Sequence, residues 1–391
     1  MIDLDAFRDA VTAFMREHAR PRGGKEAAAP IAEARRFQRA LSDAGLAGLT
    51  WPLEAGGRGL GREHQRAFDT VAQEFDVPTS DLTIALNVCG PAVAEFGDDE
   101  QRGRHCRATL RGEQVWCQLW SEPDAGSDLA AVRTRADRDE DGAWVIHGHK
   151  IWTSVAQIAD FAILLARTQP HASKHKGLSM FVVPMDSPGI RVEPLRQITG
   201  EAEFNEVWLD GVRLPADALL GEDGDGWRVL TWMMGRERIS VGVTMRSSNT
   251  LQWEQVRDMA ADRGLLDDPE VASRLVSLRS LYRGAEALRL RIAQEVDAGQ
   301  SPPTLGSATK LVEAQFIADA AELAAFITGQ DSTAWLPDSP GGAEADSPGG
   351  AEAAAALLKA PAFSIGGGTT EIQLNTLAEQ VLKLPREPRP S

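Results

Sequence analysis

The hydrophobic pattern of this chain changes period twice, and that change limits the folds open to it. Leu4, Phe7, Val11 and Phe14 recur at helical spacing, as do Ile31, Ala34, Phe37 and Leu41. "AGLAGLTWPLEAGGRGLG" interrupts the pattern with glycines and a proline, as a loop does. "REHQRAFDTVAQEF" and "GDDEQRGRHCRATLRGE" resume it, the second with an acidic start. In the middle the period becomes two. Val132, Thr134 and Ala136 alternate, "DEDG" offers a turn, and Trp144, Ile146 and Gly148 alternate again, a hairpin signature. "DFAILLART", "LSMFVVPM", "IRVEPL" and "FNEVWLDGVRLP" are further strand candidates, suggesting a small sheet domain or barrel. From Gly226 the helical period returns. Leu275, Leu278, Tyr282, Ala285, Leu288 and Ile292 form one stripe that "DAGQSPP" stops, and "SATKLVEAQFIADAAELAAFI" forms another helix. The chain thus divides into a helical segment (1–115), a sheet segment (116–225) and a second helical segment (226–391).

With 391 residues the chain is long enough to bury a sizeable core. Its net charge of -16 speaks against nucleic acid, which needs a basic face. Cys89, Cys106 and Cys117 contain no CxxC pair, so neither a disulfide framework nor a zinc knuckle is expected. "MIDLDAFRDAVTAFMREHARP" reads as an amphipathic helix rather than a signal peptide, and no apolar run reaches membrane-spanning length. These features predict a soluble cytoplasmic protein that does not engage membranes. One tract stands apart: "DSPGGAEA" occurs at 338–345 and again at 346–353. Its Pro- and Gly-rich composition predicts a flexible surface insertion, and two copies are too few for a repeat architecture.

Four stretches carry candidate chemistry. "WCQLWSEPDAGSDLAAVRTRA" turns abruptly at Asp124 to Ser127. The turn amides and the Ser121 and Ser127 hydroxyls suit a flat heterocycle or a phosphate, and equally an ordinary turn between elements. Glu122, Asp124 and Asp128 supply oxygens, and His147 and His149 alternate on a strand, but no third ligand stands at a recognisable metal spacing. "HKIWTSVAQIAD" puts the Trp152 indole beside the Thr153 and Ser154 hydroxyls, either a stacking platform with edge donors or a core tryptophan with polar neighbours. "GRERISVG" places Glu237 between Arg236 and Arg238, a solvated cluster if exposed and an adjustable acid or base if buried. In "SIGGGTTEIQLNTLAEQVLKLPRE", glycines and then Thr369, Thr370 and Glu371 open a helix, a loop with its cap or a close approach to a phosphate or ring.

In combination and in this order, "SEPDAGSDLAAVRTRA", "HGHKIWTSVAQIADFAILLART" and "GGGTTEIQLNTLAEQVLKLPRE" resemble the acyl-CoA dehydrogenase family of flavoenzymes across nearly the whole chain. "TWP" at Thr50 to Pro52 and "GEAEFNEV" at Gly200 to Val207 are similar to its actinobacterial branch. The resemblance implies a mainly α fold with a central β-barrel between an N-terminal helical domain and a C-terminal four-helix bundle. It implies non-covalent FAD, an acyl thioester substrate carried on coenzyme A or a carrier protein, a role in lipid metabolism and an electron-transferring flavoprotein as partner. It also implies a homotetramer or dimer, with heterotetramers among steroid-degrading relatives. Carried over by position, Gln118, Leu119, Trp120, Ser121 and Ser127 line the flavin, and Ser127 also approaches the thioester. Trp152, Thr153 and Ser154 match the flavin-stacking segment, and Thr369 and Glu371 match C-terminal flavin contacts. Many members carry a catalytic Glu where this chain has Gly367; others carry it on a bundle helix directly before an arginine, which points to Glu237 as the base and Arg238 as its orienting partner. The family's Arg-x-x-Phe-Gly flavin contact has no clear match here. The same resemblance leaves open an oxygen-using flavin monooxygenase or oxidase, or a non-catalytic subunit of a heteromer.

Overall fold

The computed structural model describes residues 3–22, 29–244, 250–298, 300, 303–333 and 349–386. Two compact units are present, Met1–Leu195 with Ala202–Arg236, and Arg196–Glu201 with Glu237–Ser391. The first begins with α1 (Leu4–His18), which a two-residue strand β1 (Arg20–Pro21) follows. The apolar face of α1 (Phe7, Val11, Phe14 and Met15) packs with Phe37 and Leu41 of α2 (Ile31–Asp43) and Ala67 of α3 (Arg62–Ala72). Strand β2 (Phe75–Asp76) pairs with β1, and α4 (Gly90–Phe96) and α5 (Asp99–Leu110) complete the helical part. The acidic start of α5 is a capping box: the Gln101 amide donates to Asp98 (2.8 Å) and the Asp98 amide to the Gln101 side chain (3.3 Å).

The sheet strands are β3 (Trp116–Leu119), β4 (Arg135–Arg138), β5 (Trp144–Ser154), β6 (Phe161–Arg167), β7 (Leu178–Pro184), β8 (Ile190–Leu195), β9 (Phe204–Leu214) and β10 (Leu219–Leu220). Their order is β10-β7-β6-β4-β5-β9-β8, with β3 parallel beside β6. The central barrel expected from the sequence is not closed. Among the described residues the end strands β10 and β8 do not pair, and the two halves meet in a single parallel pair, Arg135↔Arg167. The edges explain this: β10 is two residues long, and β8 alternates half-buried and exposed residues instead of burying a seam. Strands β6 and β7 are buried on both faces. Ala162, Leu164, Phe181 and Val183 meet Trp144, Ile146 and Val207 of the other half, while Ile163, Leu165, Met180 and Val182 meet Trp51, Val88 and Val93 of the helices. That double burial is why their sequences run apolar without alternating. The unit ends in the first part of α6 (Gly226–Thr244), whose Val229, Leu230 and Met233 join the helical core.

The second unit contains the rest of α6, with α7 (Trp253–Asp262), α8 (Pro269–Asp297), α9 (Pro303–Thr328), α10 (Gly350–Ile365) and α11 (Thr370–Gln380). The first part of the stripe read from the sequence faces inward: Leu275, Leu278 and Tyr282 of α8 share a core with Phe316, Ile317 and Ala320 of α9 and Ala353 and Ala360 of α10, and Ala285 is buried, while Leu288 and Ile292 are half-buried and stand outside that core. Of the octapeptide tract expected as an insertion, residues 338–348 lie outside the described residues, and the last five residues of the second copy enter a helix. Gly349 (φ +86°) precedes α10, whose first turn takes Gly350 to Ala353, and Ala353 is buried. Alanine has the highest helix propensity, and "AEAAAALL", which begins in the second copy and runs past it, favours this helix. Among the described residues no helix is long and apolar enough to cross a membrane.

Candidate functional site

The parallel β3–β6 ladder brings Trp116, Gln118 and Trp120 to one face and Cys117 and Leu119 to the other; Trp116 and Trp120 join the core shared with the helices, Cys117 and Leu119 the core between the strands. The chain then leaves the sheet and turns at Glu122–Ala125, where each residue's amide donates to the other's carbonyl (3.1 and 3.0 Å). Ser121 is half-buried and Ser127 exposed. Glu122 holds the loop together as its position in the turn predicts, accepting the amides of Arg133 (2.7 Å) and Thr134 (2.8 Å). Arg167 ties the same returning chain, donating to the carbonyls of Ala130 (2.8 Å) and Val132 (3.3 Å). Asp124 and Asp128 form surface pairs with Arg133 and Lys174.

Beside this loop runs β5, which carries a bulge. Lys150 pairs with Val207 and Thr153 with Asn205, so Ile151 and Trp152 oppose one residue of β9. Trp152 has φ +62° and Val155 φ +54°, rare for residues of their size. The indole of Trp152 is thrown outward, 57% exposed, with its edge on Phe204 (centroids 5.8 Å apart). Such strain persists where surrounding structure over-determines it, most often at functional sites. Here the Ile151 amide donates to the Ser121 carbonyl (3.0 Å), joining the bulge to the loop. Gln118 Nε2, Trp120 Nε1 and Thr153 Oγ1 are buried without a hydrogen-bond partner among the described residues. Three orphaned groups on two adjoining segments are a costly arrangement unless a ligand meets them.

Lys150 was missed by motif reading. Its side chain is fully buried, donating to Glu122 (2.9 Å) and to the carbonyls of Trp120 (3.0 Å) and Leu165 (2.8 Å). Burial pushes the ammonium down to about 8, against the pull of Glu122. Burial alone would raise the Glu122 carboxyl, but Lys150 with the Thr134 and Arg133 contacts holds it below its ordinary value. Its burial, though not its partner, could be read from the alternation: Lys150 continues the parity of the buried Trp144 and Ile146 and the half-buried Gly148, where a charge requires a partner.

The two histidines that alternate on β5 do not converge on a metal. His149 stacks on Trp208 (4.3 Å) and meets Glu206 (2.9 Å), and His147 accepts from the Gly211 amide (3.2 Å). Among the described residues no group of three or more His, Cys, Asp or Glu could hold a metal ion.

The other predicted residues belong to the second unit. Gly367 (φ +67°) and Gly368 (φ +90°) make the turn before α11, which Thr369 caps by accepting the Ile372 amide (3.3 Å). The buried Gln373 donates to the Gly367 (3.1 Å) and Gly368 (3.3 Å) carbonyls, and Lys310 to the Gly368 carbonyl (2.6 Å). Glu371 is exposed in the first turn, its carboxyl lowered by its own amide and by Thr369. Glu237 is half-buried on α6, and the Arg238 side chain lies outside the described residues. Arg236, the last residue of the first unit, lies over Trp232 (5.1 Å) and donates to the Asn87 carbonyl (3.4 Å).

Three domain families match in succession: Acyl-CoA dehydrogenase, N-terminal domain (residues 3–113), Acyl-CoA dehydrogenase, middle domain (117–212), and Acyl-CoA dehydrogenase, C-terminal domain (224–382). The chain is 35% identical over 364 residues to acyl-CoA dehydrogenase IpdE1 of Mycolicibacterium smegmatis, covering 91% of this chain and 89% of that protein. It is 37% identical over 366 residues to acyl-CoA dehydrogenase FadE34 of Mycobacterium tuberculosis, covering 92% of this chain and 48% of that one. Among solved structures it is similar to the Tcur3481-Tcur3483 steroid ACAD, with a TM-score of 0.79 and 28% identity over 98% of each chain. The chain belongs to the acyl-CoA dehydrogenase family, a family of FAD-dependent oxidoreductases.

Proposed function

We propose that this protein desaturates the α,β-bond of an acyl-CoA thioester with FAD as its cofactor. The observation that carries this reading is the set of buried, unpartnered groups at Gln118, Trp120 and Thr153, on two segments that Lys150 fastens together. A flat heterocycle with a polar edge satisfies such groups, and Trp152 offers an exposed ring beside them. In this reading Gln118 to Ser121, Ser127 and Trp152 to Ser154 hold the flavin, and Thr369 and Glu371 are flavin contacts carried over from the family resemblance. Bound FAD supplies the oxidant that accepts the β-hydride. Glu237 accepts the α-proton, a role the side-chain-free Gly367 cannot fill, and Arg238 orients it. Hydrogen bonds to the thioester carbonyl lower the barrier by stabilising charge that develops there.

The steroid named for the similar solved structure supports a steroid-derived acyl group, and its two-component name supports assembly with a second related chain. An electron-transferring flavoprotein takes the electrons onward. The test is optical. The purified protein is expected to be yellow and to be bleached by an acyl-CoA substrate in the absence of oxygen. Glu237→Gln keeps the colour and loses the bleaching. A protein that takes up no FAD overturns the cofactor; unchanged bleaching in the variant overturns the base.

A further inference from the structure

Lys150 sits where the backbone of the candidate site divides. The β3–β6 ladder ends at Leu119↔Leu164. Just beyond it, the carbonyls of Trp120 and Leu165 both accept from the Lys150 ammonium, and Glu122 is its third acceptor. An ammonium has three protons, so all are committed. On one side the next residues of the same strand form the bulge at Ile151 and Trp152. On the other, Glu122 takes the Arg133 and Thr134 amides and closes the chain between 122 and 134 on itself. A single buried cation therefore fixes the root of the loop and the start of the bulge together.

We propose that Lys150, acting through Glu122, is a positioning residue: it sets residues 120–127 in register with Trp152–Ser154 and so fixes where the flavin edge lies. This rests on the reading of the site as a flavin site. Lys150 touches neither substrate nor cofactor in this scheme, and its effect passes through the backbone it holds. An ion pair that only stabilised the fold would behave differently. Replacing such a pair by neutral side chains of similar volume leaves stability nearly unchanged, and the flavin would stay where it was. A positioning pair keeps the fold under that replacement and lets the flavin shift, because methionine offers no donor to the Trp120 and Leu165 carbonyls.

The experiment compares the full-length wild type with Lys150→Met, Glu122→Gln and the double variant. It reads thermal unfolding, FAD release, visible circular dichroism of the flavin, and amide exchange across 122–134. Lys150→Met, which strands the buried carboxylate, unfolds early. The double variant recovers most of the lost melting temperature, yet releases FAD about tenfold faster or more, alters the flavin dichroism, and exchanges the Arg133 and Thr134 amides about tenfold faster. A double variant with wild-type FAD release and dichroism overturns the proposal. Should it fail to fold, Glu122→Gln carries the same readouts, and wild-type values there overturn it. If the wild type itself binds no FAD, the cofactor reading falls separately. Exchange across 122–134 still decides the clamp, and unchanged protection in the variants refutes it.

Discussion

Gly148→Ala tests whether the loop and the strand beneath it are packed as tightly as the structure shows. Gly148 lies on β5 opposite Leu209, and a Cβ there would stand 2.1 Å from Thr134 Oγ1, 2.6 Å from its Cγ2 and 2.7 Å from its Cβ. Ordinary contact begins at 3.4 Å, so Thr134 Oγ1 would have to retreat by 3.4 − 2.1 = 1.3 Å. It has little freedom to do so. Its side chain is buried, its amide donates to Glu122 (2.8 Å), and its carbonyl accepts from the Arg167 amide (2.7 Å). Rotating the hydroxyl away leaves the Cβ contact, so the strand itself must move. Overpacking of this kind costs about 1–3 kcal/mol. The assay is urea unfolding followed by tryptophan fluorescence, with FAD release measured in parallel. Thr134→Ala removes the two shortest contacts, so the double variant should be more stable than the sum of the single effects implies, by about 0.5 kcal/mol or more. A Gly148→Ala protein that unfolds at the wild-type midpoint, with Thr134→Ala strictly additive, would refute the packing argument.

Two pH arms follow from the Lys150–Glu122 pair. The folded value of Glu122 lies below its ordinary 4.5, so its stabilisation is complete above that pH and lost as pH falls. The folded value of Lys150, about 8, lies below its ordinary 10.5, so the cost of burying the charge is present below about 8 and is relieved as pH climbs toward 10.5. Denaturant midpoints across pH should show both arms in the wild type and neither in Lys150→Met/Glu122→Gln; superimposable profiles would contradict this. Gly368→Ala should cost about 1–3 kcal/mol, since φ is +90° there and the new Cβ would lie 2.6 Å from the Gln373 side-chain Nε2. Gly103→Ala, at an exposed position of α5 with open space around it, should instead stabilise by about 0.5–1 kcal/mol. Equal unfolding midpoints for these two variants would show that the backbone reasoning fails.

The sequence disclosed most where a feature is local. The first part of the stripe on α8 (Leu275 to Tyr282), the acidic start of α5 and the hairpin that pairs Arg138 with Trp144 each follow from spacing within a dozen residues. The Gly-rich run before α11 likewise announced a threonine cap, and of Thr369 and Thr370 the structure has Thr369 in that place. Closure of the sheet was not legible, because it depends on whether two distant edge strands meet, and neither β8 nor β10 carries that information. The candidate loop was legible as a turn, while the pair that holds it was not: Lys150 and Glu122 stand 28 residues apart and form no motif. The bulge escaped for a related reason. It shifts the buried parity from Lys150 to Thr153, and alternation alone shows such a shift only as a break.

The start of α10 has a consequence for how this chain can change length. The cap and first turn of that helix, Gly349 to Ala353, have the same sequence as residues 341–345 of the first octapeptide. Gly349 supplies a left-handed conformation, and a Cβ on Gly350 would lie within 3.0 Å of Asp331, so both glycines are required at the junction. Because the duplication is in phase, deleting 338–345 or adding a third copy leaves "GGAEA" against the same helix. A change of length by one octapeptide at this tract therefore renews the residues that open α10 each time. A lineage can lengthen or shorten this connection in steps of eight and always begin α10 with the same two glycines.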